Sequence, residues 1–430
     1  MSKKLLGKAG IFLFANIVNA AIPFLLLPIL TRVLTPADYG VVAMFSIMVS
    51  IFGALTGLSV HGAIGVRYFE LDRKALARYV ADCVTILCIS TLVVLLLVAV
   101  IGDRLVSITN VPYRWLLVAV VVSGLQFMVN IKLTLWQVSQ NAKSYGVFQV
   151  SQGLVNSTCS LLLIFLFYMA WEGRVWGQVV ATAAFGVLAL FALFRSKELN
   201  FRHDGQTYYR DALNFGVPLI PHVIGGLAMV VADRFIVGSF LDLESVGIYT
   251  LALQFGMAMG LIADAFSKVY SPWLYRKLKD STPAARLEVV GVTYLSWLFF
   301  MMLALAAQVF CSLFFLKIVG ESFYKAQEIL FWFFLGQTFK GMYLTVTGLF
   351  FFSSRTGRLS FITLSTGGVS ILASLWFVER FGLEGAAMAY ALSEFVLFFF
   401  VWAFSRLIYP MPWLSVFSSL STVLVRKASK

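Results

Sequence analysis

Apolar runs of about twenty residues recur along the chain as far as residue 408. Roughly twenty residues of helix cross the ~30 Å hydrocarbon core of a bilayer, so this recurrence constrains the fold more than any other feature. Twelve spans are predicted, at residues 9–31, 40–65, 80–101, 115–136, 148–170, 175–194, 212–238, 246–270, 288–317, 326–350, 361–378 and 385–408. The runs are continuous, not alternating, which excludes a transmembrane β-barrel. With 60% hydrophobic and only 12% charged residues, against about 25% charged in a soluble domain, there is no room for a large soluble domain. The expected fold class is an all-α polytopic membrane protein.

Cys83, Cys88, Cys159 and Cys311 all fall inside predicted spans and read as small buried apolar residues, not as a disulfide framework. No Cys or His spacing suggests a metal, and no cofactor is expected. The opening MSKKLLGK runs into the first span without a small-residue cleavage site, so it reads as a retained first helix.

Lysine and arginine in the loops set the expected orientation. With the N-terminus inside, cytoplasmic segments hold 23 of them and the other side 7. Both termini are therefore expected in the cytoplasm. The net charge of +13 is mostly this topology signal, not a sign of nucleic-acid binding. The longest outer loop, 102–114, is too short for an extracytoplasmic catalytic domain. The three remaining cations, Lys132, Arg234 and Lys340, lie inside spans.

The two halves echo each other. Asn16, Pro23 and Arg32 are answered by Asn214, Pro218 and Arg234, and VWGQVVAT at 175–182 by LEGAAMAY at 383–390. Each half holds six spans in the same order. This predicts two six-helix bundles related by a parallel pseudo-two-fold repeat, a build common in secondary transporters with the cargo site between halves. The predicted division is 1–205, 206–408 and a tail 409–430, with the basic loop 195–211 as linker. Within the tail, 413–425 is too short to span and is expected to be interfacial or loosely ordered.

Three stretches carry a family resemblance: TRVLTPADYG at 31–40, GAIGVRYFE at 62–70, and ADRFIVG at 232–238 with VGIYTLA at 246–252. Together they resemble the polysaccharide-biosynthesis flippases, the Wzx-type O-antigen branch of the multidrug/oligosaccharidyl-lipid/polysaccharide exporter superfamily. That resemblance implies a MATE-like fold in a bacterial inner membrane. It also implies flipping of undecaprenyl-pyrophosphate-linked sugar repeats from the cytoplasmic to the periplasmic leaflet, by alternating access through a cationic cavity. The partners implied are the lipid-linked oligosaccharide, membrane lipids, a glycan polymerase and a chain-length regulator. The lipid II flippases of the superfamily carry two further helices that this chain lacks.

Lys340 is the leading site candidate. It lies about 21 Å into its span by the helical rise, and an ammonium in hydrocarbon costs about 2.5–3.5 kcal/mol. Gln337, Lys340, Leu344 and Thr347 share a face by helical spacing. The candidate role for Lys340 is contact with pyrophosphate or an acidic sugar; the alternative is pairing with a buried carboxylate such as Glu394. Arg234, beside Asp233, and Arg32 hold matching places near span ends, at the cavity mouth or as dipole-stabilised anchors. Arg67 ends span 2, where a phosphate would arrive and could be bound bidentately. Lys132 faces away from the polar stripe of its span and is expected to snorkel.

Gln126, Asn130, Thr134 and Gln137 line one face of span 4, and Gln149, Gln152 and Asn156 one face of span 5. They could bind sugar hydroxyls or hydrogen-bond between helices, worth about 0.6 kcal/mol each; Asn16 and Asn19 read alike. Glu394 and Asp264 are candidate sites for a coupling proton or sodium ion, with an i, i+4 pair to Lys268 as the alternative for Asp264. His222 and Asp233 share a face of span 7, but their spacing makes no catalytic pair. A drug or cation antiporter of the same superfamily would need an acidic lumen. A membrane glycan polymerase or glycosyltransferase would need a charged constellation in a sizeable loop, and none is present.

Overall fold

A computed structural model describes residues 3–201, 207–280, 282–353, 355–415 and 419. The chain separates into two compact units, Met1–Val231 and Ala232–Lys430, and the described residues form α-helices joined by short turns.

The first unit holds six spans: α1 (Lys3–Val33), α2 with α3 (Pro36–Leu55 and Val60–Arg67), α4 (Arg73–Thr109), α5 (Tyr113–Val138), α6 (Ala142–Phe167) and α7 (Ala170–Arg195). The short α8 (Tyr209–Gly216) and the first half of α9 (Ile220–Phe240) complete it. The second unit continues with the rest of α9, then α10 (Leu243–Asp280), α11 (Pro283–Ile318), α12 (Ala326–Phe352) and α13 (Thr356–Ile408). Among the described residues nine of these stretches are long and apolar enough to cross a membrane, with α13 counted once. However, α13 is two arms that reverse direction at Gly382 (φ +58°, ψ −134°). Residues of the first arm, such as Leu359 and Ile362, pack in one core with Leu397, Phe398 and Val401 of the second. With α9 and α12, helices of 21 and 27 residues, the predicted twelve spans are accounted for.

Local chemistry sets the helix starts. In TRVLTPADYG, Thr35 and Asp38 form a reciprocal capping box: Asp38 N–H donates to Thr35 Oγ1 (3.1 Å) and Thr35 N–H to Asp38 Oδ2 (3.0 Å), with Pro36 at the first helical position. Asp242 accepts from Ser245 N–H (2.7 Å) at the start of α10, and Thr282 with Pro283 opens α11. The flanks of the helices remain apolar where they meet no protein, as at Val100, Leu364 and Leu407. That suits a lipid surround.

The structure departs from the sequence reading in three places. Span 2 is broken, with Gly57, Leu58 and Ser59 all in the left-handed region. Glycine tolerates that conformation and leucine does not. The break persists because Gly57 N–H donates to Ser90 Oγ (2.8 Å) and the Phe127 ring fills the space where a Cβ would lie.

Next, the boundary between the compact units lies within α9, later than residue 205. The end of the predicted linker packs within the first unit: Arg67 binds Asp211, and Tyr208 N–H donates to Asp82 (2.6 Å). Finally, the start of the tail is not loose. Met411 and Trp413 are buried in the core of the second unit, Tyr294 Oη donates to the Trp413 carbonyl (2.6 Å), and the Trp297 and Trp413 rings stack at 6.2 Å. Residue 419 apart, the tail beyond 415 lies outside the described residues.

Candidate functional site

In the second unit, α12 and the second arm of α13 run parallel and meet in two polar rungs. Gln337 Nε2 donates to Tyr390 Oη (2.7 Å). One turn further along both helices, Lys340 and Glu394 face each other electrostatically, yet neither makes a hydrogen bond or ion pair among the described residues. Small residues permit the approach: a Cβ on Gly336 would lie 2.5 Å from the Tyr390 ring, and one on Gly260 of α10 2.6 Å from Gln337 Oε1. Gln337 is thus enclosed, and its Oε1 has no partner among the described residues.

Asp233 of α9 joins the same cluster. It accepts from Tyr249 Oη (3.0 Å) and Ser374 Oγ (2.6 Å), and its charge reaches Glu394. Arg234 interacts electrostatically with Asp233, Tyr249 and Tyr390. Two carboxylates and two cations therefore stand together inside one helix bundle, a set balanced in charge. The sequence reading named Asp233, Arg234, Gln337, Lys340 and Glu394 but missed Tyr249, Ser374 and Tyr390. Tyr249 was visible in VGIYTLA and Tyr390 in LEGAAMAY; nothing marked Ser374.

In the first unit the polar stripes hydrogen-bond each other. Gln152 Nε2 donates to Gln126 Oε1 (2.9 Å) and Gln126 Nε2 to Asn130 Oδ1 (3.3 Å), tying α6 to α5. Gln149 Oε1 is enclosed without a partner among the described residues, and Thr134 is half-buried while Gln137 and Asn16 are exposed. Asn19 packs against Gly153 of α6. Asn156 Oδ1 accepts from Arg174 Nη1 (2.7 Å). Arg174 was counted in a loop, but α7 begins at Ala170 and carries it inside.

Several cations have internal partners. The Arg67 fork grips Asp211 through Nε (3.0 Å) and Nη2 (2.7 Å), and its Nη1 meets Glu70. Tyr79 Oη also donates to Asp211 (2.9 Å). Asp211 lies before the next span, and the Arg67 guanidinium, aided by Tyr79, holds its carboxyl below the ordinary value. Arg32 Nη1 donates to the Pro28 carbonyl (3.1 Å) in the last turn of α1, as a cation at a helix C-terminus does.

Lys132 does not snorkel. It is only 2% exposed, paired with Glu198, bonded to Ser196 Oγ (3.1 Å) and placed 4.9 Å from the centre of the Trp136 ring. The left-handed turn at Lys197 brings Glu198 back over α5. The expected Asp264–Lys268 pair does not form. Asp264 is half-buried and makes no hydrogen bond or ion pair among the described residues, and such an exposed pair would gain only about 0.3–0.5 kcal/mol. The side chain of His222 lies outside the described residues.

The chain is 24% identical over 282 residues to "Lsg locus putative protein 1" of Haemophilus influenzae, covering 64% of this chain and 67% of that one. It is 22% identical over 366 residues to an "Uncharacterized membrane protein" of the same organism, covering 84% and 87%. Among solved structures it resembles the lipid II flippase MurJ in an inward closed conformation (TM-score 0.69, 14% identity, 97% of this chain and 90% of that one). It also resembles a multidrug resistance MATE family transporter of the MOP superfamily, facing inward (TM-score 0.68, 13% identity, 96% of each). These likenesses establish the fold. The sequence profile described as "Polysaccharide biosynthesis protein" matches residues 5–277, and the chain belongs to that family.

Proposed function

We propose that the protein carries polyprenyl-pyrophosphate-linked oligosaccharide repeat units across a bacterial inner membrane, from the cytoplasmic to the periplasmic leaflet, by alternating access. It acts as a carrier, not as an enzyme, with both termini in the cytoplasm. What carries the reading, beyond family membership, is Lys340: an embedded ammonium that faces a carboxylate without being locked to it. A cation tied in a tight ion pair has nothing to offer a cargo. One held at a distance from Glu394 can exchange that carboxylate for a phosphate, while the freed Glu394 takes a proton or sodium ion. Arg234, which interacts with Asp233 of the same cluster, is a second cation for phosphate oxygens.

The physical task is to bring sugar and pyrophosphate past hydrocarbon while the prenyl tail stays in lipid. Burying a polar group without partners costs roughly 2–7 kcal/mol, and the embedded charges offset part of that for the phosphates. With a cytoplasm-negative potential, outward movement of an anion is favourable by about 2.3 kcal/mol per charge per 100 mV. Asp264, unpaired among the described residues of α10, is a second candidate for coupling. A glycan polymerase and chain-length regulator would take up the product.

The rival reading is a cation antiporter, which the MATE likeness brings to mind and which the carboxylates Asp233 and Glu394 could serve. The test is lipid-linked glycan accumulation in a strain lacking the gene. Lys340→Ala should lower surface-glycan export at least tenfold, and Lys340→Arg should retain part of it. Wild-type export by Lys340→Ala, together with drug sensitivity in Glu394→Gln, would favour the antiporter.

A further inference from the structure

The embedded cations described so far have carboxylates nearby: Glu198 for Lys132, Glu394 for Lys340, and Asp233 for Arg234. Arg174 differs. Its Nη1 donates to two neutral oxygens, Asn156 Oδ1 (2.7 Å) and Ser160 Oγ (3.0 Å). Among the described residues it makes no ion pair. Its Nε and Nη2 have no hydrogen bond among those residues, yet they are not sealed in, unlike Gln149 Oε1.

The guanidinium reaches inward from a helix start: Arg174 lies about 6 Å along α7, which begins at Ala170, and its partner Asn156 lies about 17 Å before the end of α6 by the helical rise. Close contact of α6 and α7 fixes the guanidinium there: a Cβ on Gly177 would lie 2.5 Å from the Ser160 nitrogen, and Ser160 Oγ is also 3.3 Å from the Arg174 carbonyl. Tyr39 of α2 is its electrostatic neighbour.

Neutral hydrogen bonds orient a guanidinium without cancelling its charge. A membrane-embedded charge with no counter-ion is costly and is characteristically functional. A planar fork with open nitrogens suits the bidentate geometry of a phosphate. We propose that Arg174 is an anion-binding residue between α6 and α7 of the first unit, oriented by Asn156 and Ser160 to receive the phosphate of a membrane-borne headgroup. Assigning that headgroup to the pyrophosphate of the cargo rests on the carrier reading above; the anion site itself does not.

The test uses the full-length protein in phosphatidylcholine nanodiscs, with labelled farnesyl pyrophosphate as probe. The wild type should bind it saturably. Arg174→Gln should weaken binding at least tenfold. Asn156→Asp is the decisive variant, because it places a carboxylate against Arg174 and supplies an internal counter-ion. It should weaken binding as much while leaving the melting temperature unchanged or higher, which a merely structural arginine would not produce. Wild-type affinity in Asn156→Asp, or no saturable binding by the wild type, overturns the proposal. Doping with phosphatidylglycerol separates the sources: displacement of the probe assigns the site to bulk anionic lipid, and its absence assigns it to prenyl pyrophosphates. If Arg174 governs binding but the gene proves dispensable for glycan export, the carrier reading falls and the anion site stands.

Discussion

The Lys132–Glu198 pair makes an asymmetric prediction. The two partners are unequally buried: the lysine side chain is 2% exposed and the glutamate 32%. Glu198→Gln leaves an ammonium enclosed in the first unit, with only Ser196 and the Trp136 ring to stabilise it. Removing one partner of a buried pair costs about 3–5 kcal/mol. The wet side of Glu198 places this case near the lower end, about 3 kcal/mol. Lys132→Met instead leaves a glutamate that can turn to water, and the methionine fills the lysine channel, so its cost is about 1 kcal/mol, in the range of a volume-conserving swap. The double variant should resemble Lys132→Met, giving a coupling energy of about 3 kcal/mol. At roughly 2–4 °C per kcal/mol for a unit of this size, Glu198→Gln should lower the melting temperature in detergent by about 6–12 °C and Lys132→Met by about 2–4 °C. A Lys132→Met variant that melts as low as Glu198→Gln would refute the argument from unequal burial.

Two further outcomes are expected. The lowered Asp211 carboxyl stabilises α8 docking above the ordinary aspartate value of 3.8, and that contribution is lost as acid brings the pH down through its folded value. Hydrogen exchange at residues 208–216 should therefore be faster in Asp211→Asn than in the wild type at pH 7, by a few-fold for a partly exposed pair worth about 1 kcal/mol, with the difference closing in strong acid. Trp413→Ala removes a ring that is 3% exposed and should destabilise the second unit by about 3–5 kcal/mol, seen as lower thermal stability; an unchanged melt would mean that the start of the tail is not part of the core.

Spans and charges were largely legible in the sequence because both are written in composition over whole turns of helix. Lys340, Glu394, Asp233 and Gln337 stood out as polar residues in apolar surroundings; Glu394 feels the charges of Lys340 and Asp233, while Gln337 bonds Tyr390 one turn away. What could not be read is which acceptor each charge finds. Glu198 reaches Lys132 only because the chain turns back at Lys197, and Asp211 reaches Arg67 across 144 positions of sequence. Arg174 was misplaced by a few residues at a helix start, enough to turn a loop cation into an embedded one. The break at Gly57 was hidden because two non-glycine neighbours share its conformation, held by Ser90 and Phe127 from other helices. The tail looked too short to cross a membrane, and length says nothing about whether a Trp and a Met can fill a gap between aromatic rings.

The reversal inside α13 has a mechanical consequence. Two rods of about 38 Å each are joined through Gly382, where most helix pairs have a connection of 2–8 residues. So short a joint has no slack. Sliding one rod along the other would have to stretch a chain already fully committed, so Thr366 and Ser374 on one side and Tyr390 and Glu394 on the other must travel as a single lever. Whatever moves the arm that bonds Asp233 displaces the arm that faces Lys340 in the same stroke.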